Sequence, residues 1–559
     1  MKKSIYIHLL VLAATLTPAA GQVRERVSLQ TDKNLYIAGE TVWLKTITTD
    51  TDGKPLDLSK VVYVELLDER RPQAQIKIDV SNATGNGSFT LPPELPTANY
   101  RLVAYTRYMQ NENPTAFYER LLPVVNTFLP YYAPKTDISG ETTSAIIPSG
   151  SASKPAKTVS VRSENATYPV RTNSEIRIEN IPADCYTLSV SIAGEDSIFG
   201  DKSVITSPTT ASTDRLQPFE IRYVPEYEGP IITGTIINET TNAPATGLKP
   251  TVLLGYVGDG IRVFDGQIAD DATVAFYTRR AAGARKIAVT TYGESYRNLR
   301  VEIKWAYTQH EYRALPPLVV APQYADGLLQ RSVNLQALQT YTADSMAIYA
   351  AESALFGWKP EWSYLLDEYT RFRDMKDVII EFVPGLRFSN VGNRRSLMAL
   401  TDDHSGYAPT PALTLIDGIP VANHDAVYNY SPLQMKRLDV YRGRYFFGGS
   451  SFEGIASFQT YRLNYQGFDP GTQTQIINYD GPQLPRRFYV PRYDSEAAHR
   501  SRLPDGRHTL LWQPDVATDN ATAIVPFSTS DLRGRFVVKV EGLTSAGEAI
   551  SGQCFITVE

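Results

Sequence analysis

The feature that most constrains this chain is the repetition of short apolar runs with a period of two, each bounded by turn residues. Stretches such as "VVYVELLDE" and "EIRIENIPADCYTLSVSIAG" alternate in this way, as do Val42, Leu44 and Thr46 in "ETVWLKTITTD". Alternation places successive side chains on opposite faces of a strand, and the intervening Gly, Asp, Asn and Pro favour tight turns. The pattern therefore predicts antiparallel strands stacked as β-sandwiches.

Length and composition extend this prediction to the whole chain. A chain of 559 residues is long enough for roughly three or four domains. Its 36 Gly, 36 Pro and 34 Tyr favour strands and turns over helices. We predict a mainly β, multidomain protein with tandem β-sandwiches, to which the helix and strands predicted around Leu413 to Val421 add a small α+β domain. The net charge of -5, without a basic cluster, argues against nucleic acid as a partner.

The first residues have the pattern of a secretory signal peptide. Lys2 and Lys3 precede an apolar run to Ala14, and small residues including Ala19 and Gly21 follow. We predict a signal peptide over residues 1–21, cleaved before Gln22. Its apolar run is shorter than the ~20 residues of a membrane span. The mature chain is expected to be exported to the periplasm or outer membrane without a transmembrane segment of its own, with the cell surface as an alternative.

The first mature segment contains three motifs in order: Thr31 to Val42 ("TDKNLYIAGETV"), Gly85 to Leu91 and Tyr100 to Thr106. In these motifs it resembles the macroglobulin-type domain of the alpha-2-macroglobulin family, which implies a macroglobulin or Ig-like sandwich. That family traps proteases through a Cys followed closely by Glu-Gln. Neither Cys185 nor Cys554 has Glu-Gln after it, so this trapping chemistry is not expected here. Each Cys lies in an apolar strand pattern typical of a buried thiol, and whether the two pair is left open.

The segment "LTLIDGIPV", Leu413 to Val421, allows three interpretations: a catalytic carboxylate at a strand end, a hairpin turn, or part of a particular module. Its neighbours favour the third. Val383 to Gly385, Leu415 to Val421, Pro432 to Gly443, Phe447-Gly448 and Gly454-Ile455 follow one another in the order of the plug domain of TonB-dependent outer-membrane receptors, which this region resembles. The resemblance implies that Asp417 is a turn residue. The roughly hundred residues after Arg462 are too few for the barrel of such a receptor.

Two further segments have weaker resemblances. The pattern from Gly234 to Ala245 is similar to the carboxypeptidase-regulatory-like β-sandwich, and "TLLWQPDV" and "DLRGRFVVKVEGLTSAGE" near the end resemble macroglobulin-family β-domains. The C-terminal sorting domains of a Bacteroidetes secretion system are a second interpretation of that end. Together the pieces resemble a Bacteroidetes envelope protein with a macroglobulin-type N-terminus and a plug-like domain lacking its barrel.

These segments give a predicted division of the chain. In order, it comprises the signal peptide (1–21), a macroglobulin-like β-sandwich (22–128), a flexible linker (129–157), a small β domain (158–212), a regulatory-like β-sandwich (213–308), a Pro-marked, partly helical connector (309–380), the plug-like domain (381–463), and an extended lead with a C-terminal β-sandwich (464–559). In the connector, Leu365, Tyr369, Phe372 and Met375 have the spacing of one face of a helix, which Pro384-Gly385 would end.

Catalytic and metal motifs are missing from the sequence. His310, His404, His424, His499 and His508 are scattered, without the spacing of a zinc site, and no serine-hydrolase elbow is present. Asp402, Asp403 and His404 are adjacent, which favours a solvated loop over a metal site, and the Asp-rich turns near Asp259 leave calcium open. We therefore predict no catalytic residue, cofactor or metal. A hydrolase that gathers His404 or His424 with carboxylates is the remaining enzymatic alternative.

Aromatic residues beside arginine and proline indicate candidate binding surfaces. The stretches "RGRYFF" and "RRFYVPRY" have this composition, which is typical of interfaces. The candidate binding residues are Arg442, Arg444, Tyr445, Phe446, Phe447, Arg487, Phe488 and Tyr489. The leading hypothesis is a non-enzymatic envelope scaffold whose partners are outer-membrane barrel, transport or secretion proteins. The alternative is a surface protein that binds peptide or glycan through its Tyr-rich loops.

Overall fold

The computed structural model describes residues 22–130, 156–195, 218–279, 283–341, 359–391, 394–483 and 486–559. The predicted signal peptide and most of the predicted linker lie outside these ranges. Most elements of the described chain are β-strands, arranged in several sheets. The predicted fold class, mainly β and multidomain, is confirmed.

The first sandwich contains the N-terminal strands. They are β1 (Arg26–Thr31), β2 (Tyr36–Ile37), β3 (Thr41–Thr49), β4 (Val61–Leu67), β5 (Pro72–Asp79), β6 (Thr84–Thr90), β7 (Ala98–Tyr105) and β8 (Tyr118–Val125). A three-stranded sheet of order β1-β3-β6 packs on a five-stranded sheet of order β2-β8-β7-β4-β5. Side chains from both sheets, such as Leu44, Leu66 and Leu102, form one core. Gly39 has a φ of 92°, which allows the turn before β3.

The next described segment does not form a sandwich by itself. It contains β9 (Lys157–Thr158), β10 (Ser160–Ser163), β11 (Thr167–Tyr168), β12 (Asn173–Glu179) and β13 (Cys185–Gly194). Among these strands β10 pairs with β12, whereas β9, β11 and β13 pair with strands from the end of the chain.

The second sandwich is an antiparallel sheet folded over its own core. Its strands are β14 (Ile231–Asn238), β15 (Ala243–Pro244), β16 (Thr251–Tyr256), β17 (Val263–Ile268), β18 (Thr273–Tyr277), β19 (Ala284–Tyr292) and β20 (Leu299–Ile303). The order is β15-β14-β18-β17-β16-β19, with β20 also on β14. Ile236, Leu254 and Phe276 lie in the core.

The connector is partly helical, but not where the apolar spacing suggested. It contains α1 (Ala325–Tyr341), β21 (Trp362–Leu365) and α2 (Met375–Phe382). The predicted helical face through Leu365 and Tyr369 is wrong, because Trp362–Leu365 is a strand with alternating burial. Helix α2 begins only at Met375 and ends just before Pro384, which cannot continue a helix.

The α+β module, defined here as residues 359–468, contains β21 and α2 and the elements that follow. These are β22 (Leu386–Val391), β23 (Arg394–Ala399), β24 (Leu413–Ile416), β25 (Ile419–Val421), α3 (His424–Asn429), β26 (Met435–Phe447) and β27 (Ser450–Thr460). The main sheet has the order β21-β26-β27-β24-β25, and β22 and β23 form a separate hairpin. Strands β24 and β27 are parallel, whereas the other pairs are antiparallel.

The last elements complete two sandwiches that began earlier in the chain. They are β28 (Thr474–Asp480), α4 (Glu496–His499), β29 (Thr509–Gln513), β30 (Ala523–Ser528), β31 (Gly534–Thr544) and β32 (Ala549–Val558). Strand β28 pairs with β19 of the second sandwich. Strands β29 to β32 join β9 to β13 in two sheets, of order β10-β12-β30 and β11-β32-β31-β13-β29, with β9 on β32. We call this unit the shared sandwich.

The shared sandwich corrects the predicted division into a small β domain (158–212) and a separate C-terminal sandwich (464–559). Its core mixes Ile176 and Val190 from the earlier segment with Val525 and Val538 from the later one. Neither segment by itself has enough strands to shield its own apolar side chains from water. The two segments therefore form one discontinuous domain.

The two cysteines lie on the same sheet but far apart. Cys185 is opposite Thr544 of β31, and Cys554 is opposite Val538 of the same strand. Six residues along a strand separate these positions by about 20 Å, which no disulfide can span. Both are unpaired thiols.

Candidate functional site

The first group of predicted binding residues lies at the end of β26 in the α+β module. Phe446 is 70% exposed, whereas Phe447 is buried. Phe447 packs with Leu253 and Val263 of the second sandwich and with Leu413 of the module. Phe447 therefore belongs to the contact between the two units, and Phe446 is the aromatic side chain of this stretch that faces solvent.

The two arginines of this group are engaged within the module. Arg442 donates to Glu361 at 2.8 Å, lies 2.7 Å from Nε2 of His404, and its guanidinium lies 5.1 Å from the Trp362 ring centroid. Arg444 donates to Glu453 at 2.6 Å. Tyr445 donates its hydroxyl to the Arg442 carbonyl at 2.8 Å.

The second predicted group lies beside the first sandwich. Phe488 packs edge-on against Trp43, with ring centroids 5.4 Å apart. Arg487 is exposed, and Tyr489 is 49% exposed. The two predicted groups therefore contact different units: β26 faces the second sandwich, and Phe488 faces the first.

A concave surface that the sequence did not indicate lies between α2 and the β22-β23 hairpin. We call it the basic groove, with a volume of about 500 Å³. Its lining has three cations, Lys376, Arg387 and Arg395, and contains no carboxylate. The aromatic side chains are Phe388, Tyr407 and Tyr428, and the apolar ones include Ile379, Ile380, Val383 and Leu386.

Aromatic rings support the two arginines of the basic groove. The Arg387 guanidinium lies 4.3 Å from the Tyr407 ring centroid, and that of Arg395 lies 4.1 Å from Tyr428. Such cation–π contacts hold a guanidinium while leaving its N–H groups available to an anion. Arg395 also lies 3.2 Å from Asp425, and Phe388 packs edge-on against Tyr428. Sequence reasoning missed the groove because its residues come from two helices, a hairpin and two loops.

The histidines considered as catalytic groups have structural partners. His310 lies 2.7 Å from Oε1 of the buried Glu65. His424 accepts the N–H of Leu397 at its Nδ1, at 2.9 Å, and burial lowers the pKa of His424 to about 4. Burial also lowers the pKa of His508. In the described part of the chain no three His, Cys, Asp or Glu side chains are grouped to hold a metal ion.

Asp417 and Gly418 form the tight turn of the β24-β25 hairpin, as the sequence predicts. The Asp417 carboxylate accepts the N–H of Thr460 at 2.7 Å, the Thr460 hydroxyl at 2.6 Å and the N–H of Tyr465 at 2.6 Å. Its own carbonyl accepts the N–H of Gly258 from the second sandwich at 2.9 Å. Asp417 thus fixes a turn that contacts the neighbouring sandwich.

The residues of the first motif in the sequence, "TDKNLYIAGE", meet at a buried junction. Glu40 accepts two hydrogen bonds from Arg331 of α1, at 2.8 and 2.7 Å. Lys33 lies 3.3 Å from Asp32, which accepts the hydroxyl of Thr509 from the shared sandwich at 3.0 Å. Burial opposes the ionisation of Glu40, but Arg331 and Lys33 lower its pKa to about 2. The motif therefore joins the first sandwich to α1 and to the shared sandwich.

A second buried polar site surrounds Glu226, just before the second sandwich. Its Oε1 accepts the hydroxyl of Tyr63 at 3.0 Å and the N–H of Ile231 at 2.8 Å. Its Oε2 is buried without a hydrogen-bond partner in the described structure. Burial raises the pKa of Glu226 to about 7 and lowers that of nearby Lys77 to about 8.

Comparison with known proteins gives only distant structural similarities. No protein-family model and no curated protein sequence matches the chain. The similar solved structures include native alpha-2-macroglobulin of E. coli and Salmonella alpha-2-macroglobulin reacted with methylamine, each 10% identical with a TM-score of 0.24. The matches cover 96% of this chain and 40% and 39% of those chains, respectively. TM-scores of this size are too low to establish a common overall fold or to indicate a function.

The described helices were also compared with the requirements of a membrane span. None of them is both long and apolar enough to cross a bilayer.

Proposed function

We propose that this protein is a non-enzymatic, exported scaffold of the bacterial cell envelope that presents its α+β module to an outer-membrane transport or secretion complex. The resemblance of Val383 to Ile455 to a receptor plug domain and the signal-peptide pattern of residues 1–21 support the envelope assignment. The proposal concerns an interaction and requires no cofactor.

The observation that carries the proposal is how the module is held. One face of its main sheet packs on the second sandwich through Leu413, Leu415 and Ile455. The alternate residues Ile416, Ala456 and Phe458 face the module's own core, together with Val378 and Ile379 of α2. The basic groove is formed by α2 and the hairpin, in the layer across the sheet from the second sandwich. A module anchored on one side and concave on the other suits presentation to a partner.

The hydrogen bonds of the buried titratable side chains support a non-enzymatic role. In the described residues, Asp417, His424 and Glu65 all accept hydrogen bonds within the fold, and each is buried in a structural contact. Among the residues that the structure describes, the lining of the groove contains no carboxylate, histidine, serine or cysteine. It therefore has the composition of a binding surface rather than that of a general acid–base site.

The test is crosslinking and affinity purification of the tagged full chain from detergent-solubilised outer membranes of its native host. We expect an outer-membrane barrel protein to be enriched with the wild-type chain. The double variant Arg387→Glu/Arg395→Glu should lose most of it, whereas Arg162→Glu, a charge reversal at an exposed position of β10, should retain it. Recovery of a monodisperse chain without a barrel partner would refute the proposal.

A second candidate function is peptide or glycan binding through the Tyr-rich loops. The observation that favours it is the exposure of Phe446 and Tyr489, 70% and 49%, beside Arg444 and Arg487. Thermal-shift screening with envelope glycans and peptides tests it, because a ligand of the native state raises the melting temperature. The increase should disappear in Phe446→Ala or Tyr489→Ala and persist in Arg387→Glu/Arg395→Glu.

A further inference from the structure

We propose that the basic groove binds an extended acidic peptide segment of a partner protein, which adds as a strand to the edge of β22 and places an apolar side chain against α2. This inference rests on the proposed function and specifies the chemistry of the partner.

The positive charge of the lining indicates that the occupant is negatively charged. Lys376, Arg387 and Arg395 surround the cavity, and Asp425, at 3.2 Å from Arg395, is the carboxylate that offsets one of them from outside the lining. Two of the cations are guanidinium groups held over tyrosine rings, a geometry that suits carboxylates. The groove therefore complements a segment that carries several Asp or Glu residues.

The apolar part of the lining indicates that the occupant also has apolar side chains. Ile379, Val383 and Leu386 form a buried floor, and Ile380 is 64% exposed at the rim. A volume of about 500 Å³ is within the range of ligand pockets and accommodates one or two side chains. An occupant that alternates acidic and apolar residues satisfies both features, since alternate side chains of a strand point in opposite directions.

The backbone of β22 supplies the third feature. The N–H of Leu400 donates to the carbonyl of Gly385 at 2.9 Å, so these two residues are a hydrogen-bonded pair. Hydrogen-bonded and non-hydrogen-bonded pairs alternate along an antiparallel ladder. Phe388–Leu397 and Asn390–Arg395 are therefore non-hydrogen-bonded pairs. Consistent with this, Leu397 donates to His424 and accepts from Ala412, on the side away from β22.

It follows that Phe388 and Asn390 direct their backbone groups toward the outer edge of β22, and both residues line the groove. In the described part of the chain β22 pairs with β23 alone. An edge strand of this kind is a template for strand addition. An anionic lipid headgroup would meet the charges but would leave this edge unused, which favours a peptide.

The experiment measures fluorescence anisotropy of labelled peptides with the purified full chain. The probe is a short peptide that alternates Glu and Val, and the comparison peptides alternate Lys and Val, alternate Glu and Ser, or repeat the probe with alternate backbone nitrogens methylated. We expect saturable binding of the Glu-Val peptide that weakens with added NaCl. Affinity should fall at least tenfold for each comparison peptide, because each lacks one of the three features.

Variants locate the site. Arg387→Gln/Arg395→Gln and, separately, Lys376→Gln should weaken the Glu-Val peptide, with at least a tenfold loss for the double variant, while Arg162→Gln should bind as the wild type does. All altered side chains are exposed or at the rim, and circular dichroism checks the fold. Equal binding by the groove variants, equal binding of the methylated peptide, or sedimentation with phosphatidylglycerol vesicles in the absence of peptide binding would overturn the proposal.

This outcome is separable from the test of the proposed function. If the chain captures a barrel protein but ignores all peptides, the partner uses another surface and the groove inference alone fails. If the peptide binds but no barrel protein is recovered, the groove inference stands and the envelope scaffold assignment fails.

Discussion

Gly418 shows how a single turn residue comes to determine a contact between two domains. Its φ of 79° is the left-handed conformation that the Asp-Gly motif predicts for a tight hairpin. The sequence does not reveal that the backbone of Tyr256, in the second sandwich, lies against it. A Cβ atom on Gly418 would lie 2.1 Å from the Tyr256 carbonyl oxygen. Glycine is needed here for close approach as well as for the turn.

We expect Gly418→Ala to weaken the attachment of the α+β module to the second sandwich. The clash is with backbone rather than with a flexible side chain, so a loss of more than about 2 kcal/mol is expected. Hydrogen exchange of β16 and β24 provides the measurement. Gly467→Ala is the matched control, because Gly467 has a φ of 76° but open space around its Cβ position. Equal effects of the two substitutions would show that strain alone, and not the contact, matters.

Glu226 introduces a pH dependence at the junction between the first and second sandwiches. Its pKa of about 7 is raised by burial above the ordinary value of 4.5, so the folded protein retains a proton that the unfolded chain releases. The titratable groups that face it include Tyr63, Lys77 and Arg107 of the first sandwich and Tyr479 of β28. The contribution of Glu226 to stability is complete below pH 4.5 and is lost as the pH rises to about 7.

We therefore expect Glu226→Gln, which cannot ionise, to gain stability relative to the wild type as the pH rises from 5 to 8, by about 2–3 kcal/mol. Urea unfolding of both proteins at pH 5 and pH 8 measures the difference in their free energy of unfolding. Hydrogen exchange at the junction of the two sandwiches shows whether the change is located there. Glu220→Gln changes an exposed carboxylate and should show no such trend. A difference between Glu226→Gln and the wild type that stays constant with pH would contradict the raised pKa.

At the scale of elements, α1 is held to the first sandwich by a buried ion pair. Arg331 donates to Glu40 twice and to the carbonyl of Leu35 at 2.9 Å. Around the pair, Leu328 packs with Leu35 and Ile37. Removing the Arg331 charge leaves the buried Glu40 carboxylate with Lys33, at 3.5 Å, as its neighbouring cation, and the loss of the closer partner is costly in a medium of low polarity.

We expect Arg331→Met to release α1, with a loss of about 3–5 kcal/mol in the local opening free energy of residues 325–338 measured by hydrogen exchange. The double variant Glu40→Gln/Arg331→Met removes both charges and should recover much of that loss. Arg313→Met is a suitable control, because the exposed Arg313 pairs with Glu119 at the surface. If the double variant is no better than the single one, the packing of the arginine, rather than its charge, holds the helix.

The sequence predicted those elements that are determined by a few neighbouring residues. The hairpin of Leu413 to Val421 and the end of α2 before Pro384 follow from turn chemistry and from the missing N–H of proline. The spacing of Leu365, Tyr369 and Phe372 also fits a helix, yet Trp362–Leu365 pairs with β26. Short apolar segments fit both periods, and the partner strand decides between them. The basic groove depends on the packing of α2 and α3 beside the β22-β23 hairpin, and no local motif could reveal it.

At the scale of the whole molecule, segments that are far apart in the sequence pair with one another. The shared sandwich joins residues 157–194 to residues 509–558, and β28 joins the second sandwich from beyond the α+β module. Lys45 of the first sandwich also lies 3.1 Å from Asp515 beside the shared sandwich. Domain boundaries derived from linkers along the sequence cannot detect such returns, because each segment has an ordinary strand pattern by itself.

A truncated chain that ends at residue 483 should leave β9 to β13 unfolded. Ile176, Ile178, Val190 and Ile192 would lose the strands that cover them, so we expect rapid hydrogen exchange over residues 157–194 and increased binding of a hydrophobic dye. Adding a separately expressed fragment of residues 486–559 should restore protection. Full protection of residues 157–194 in the truncated chain would show that this segment is an independent domain after all.

The shared sandwich also sets an order of events during synthesis. Strand β13 pairs on both sides with strands that lie more than 300 residues later in the chain. While a ribosome makes those residues, the apolar faces of β12 and β13 have no native partner, and exposed strands of this kind are prone to association. The first sandwich can fold early, whereas the shared sandwich is completed only after β32 emerges. Chaperone binding during this interval should therefore concentrate on residues 173–194.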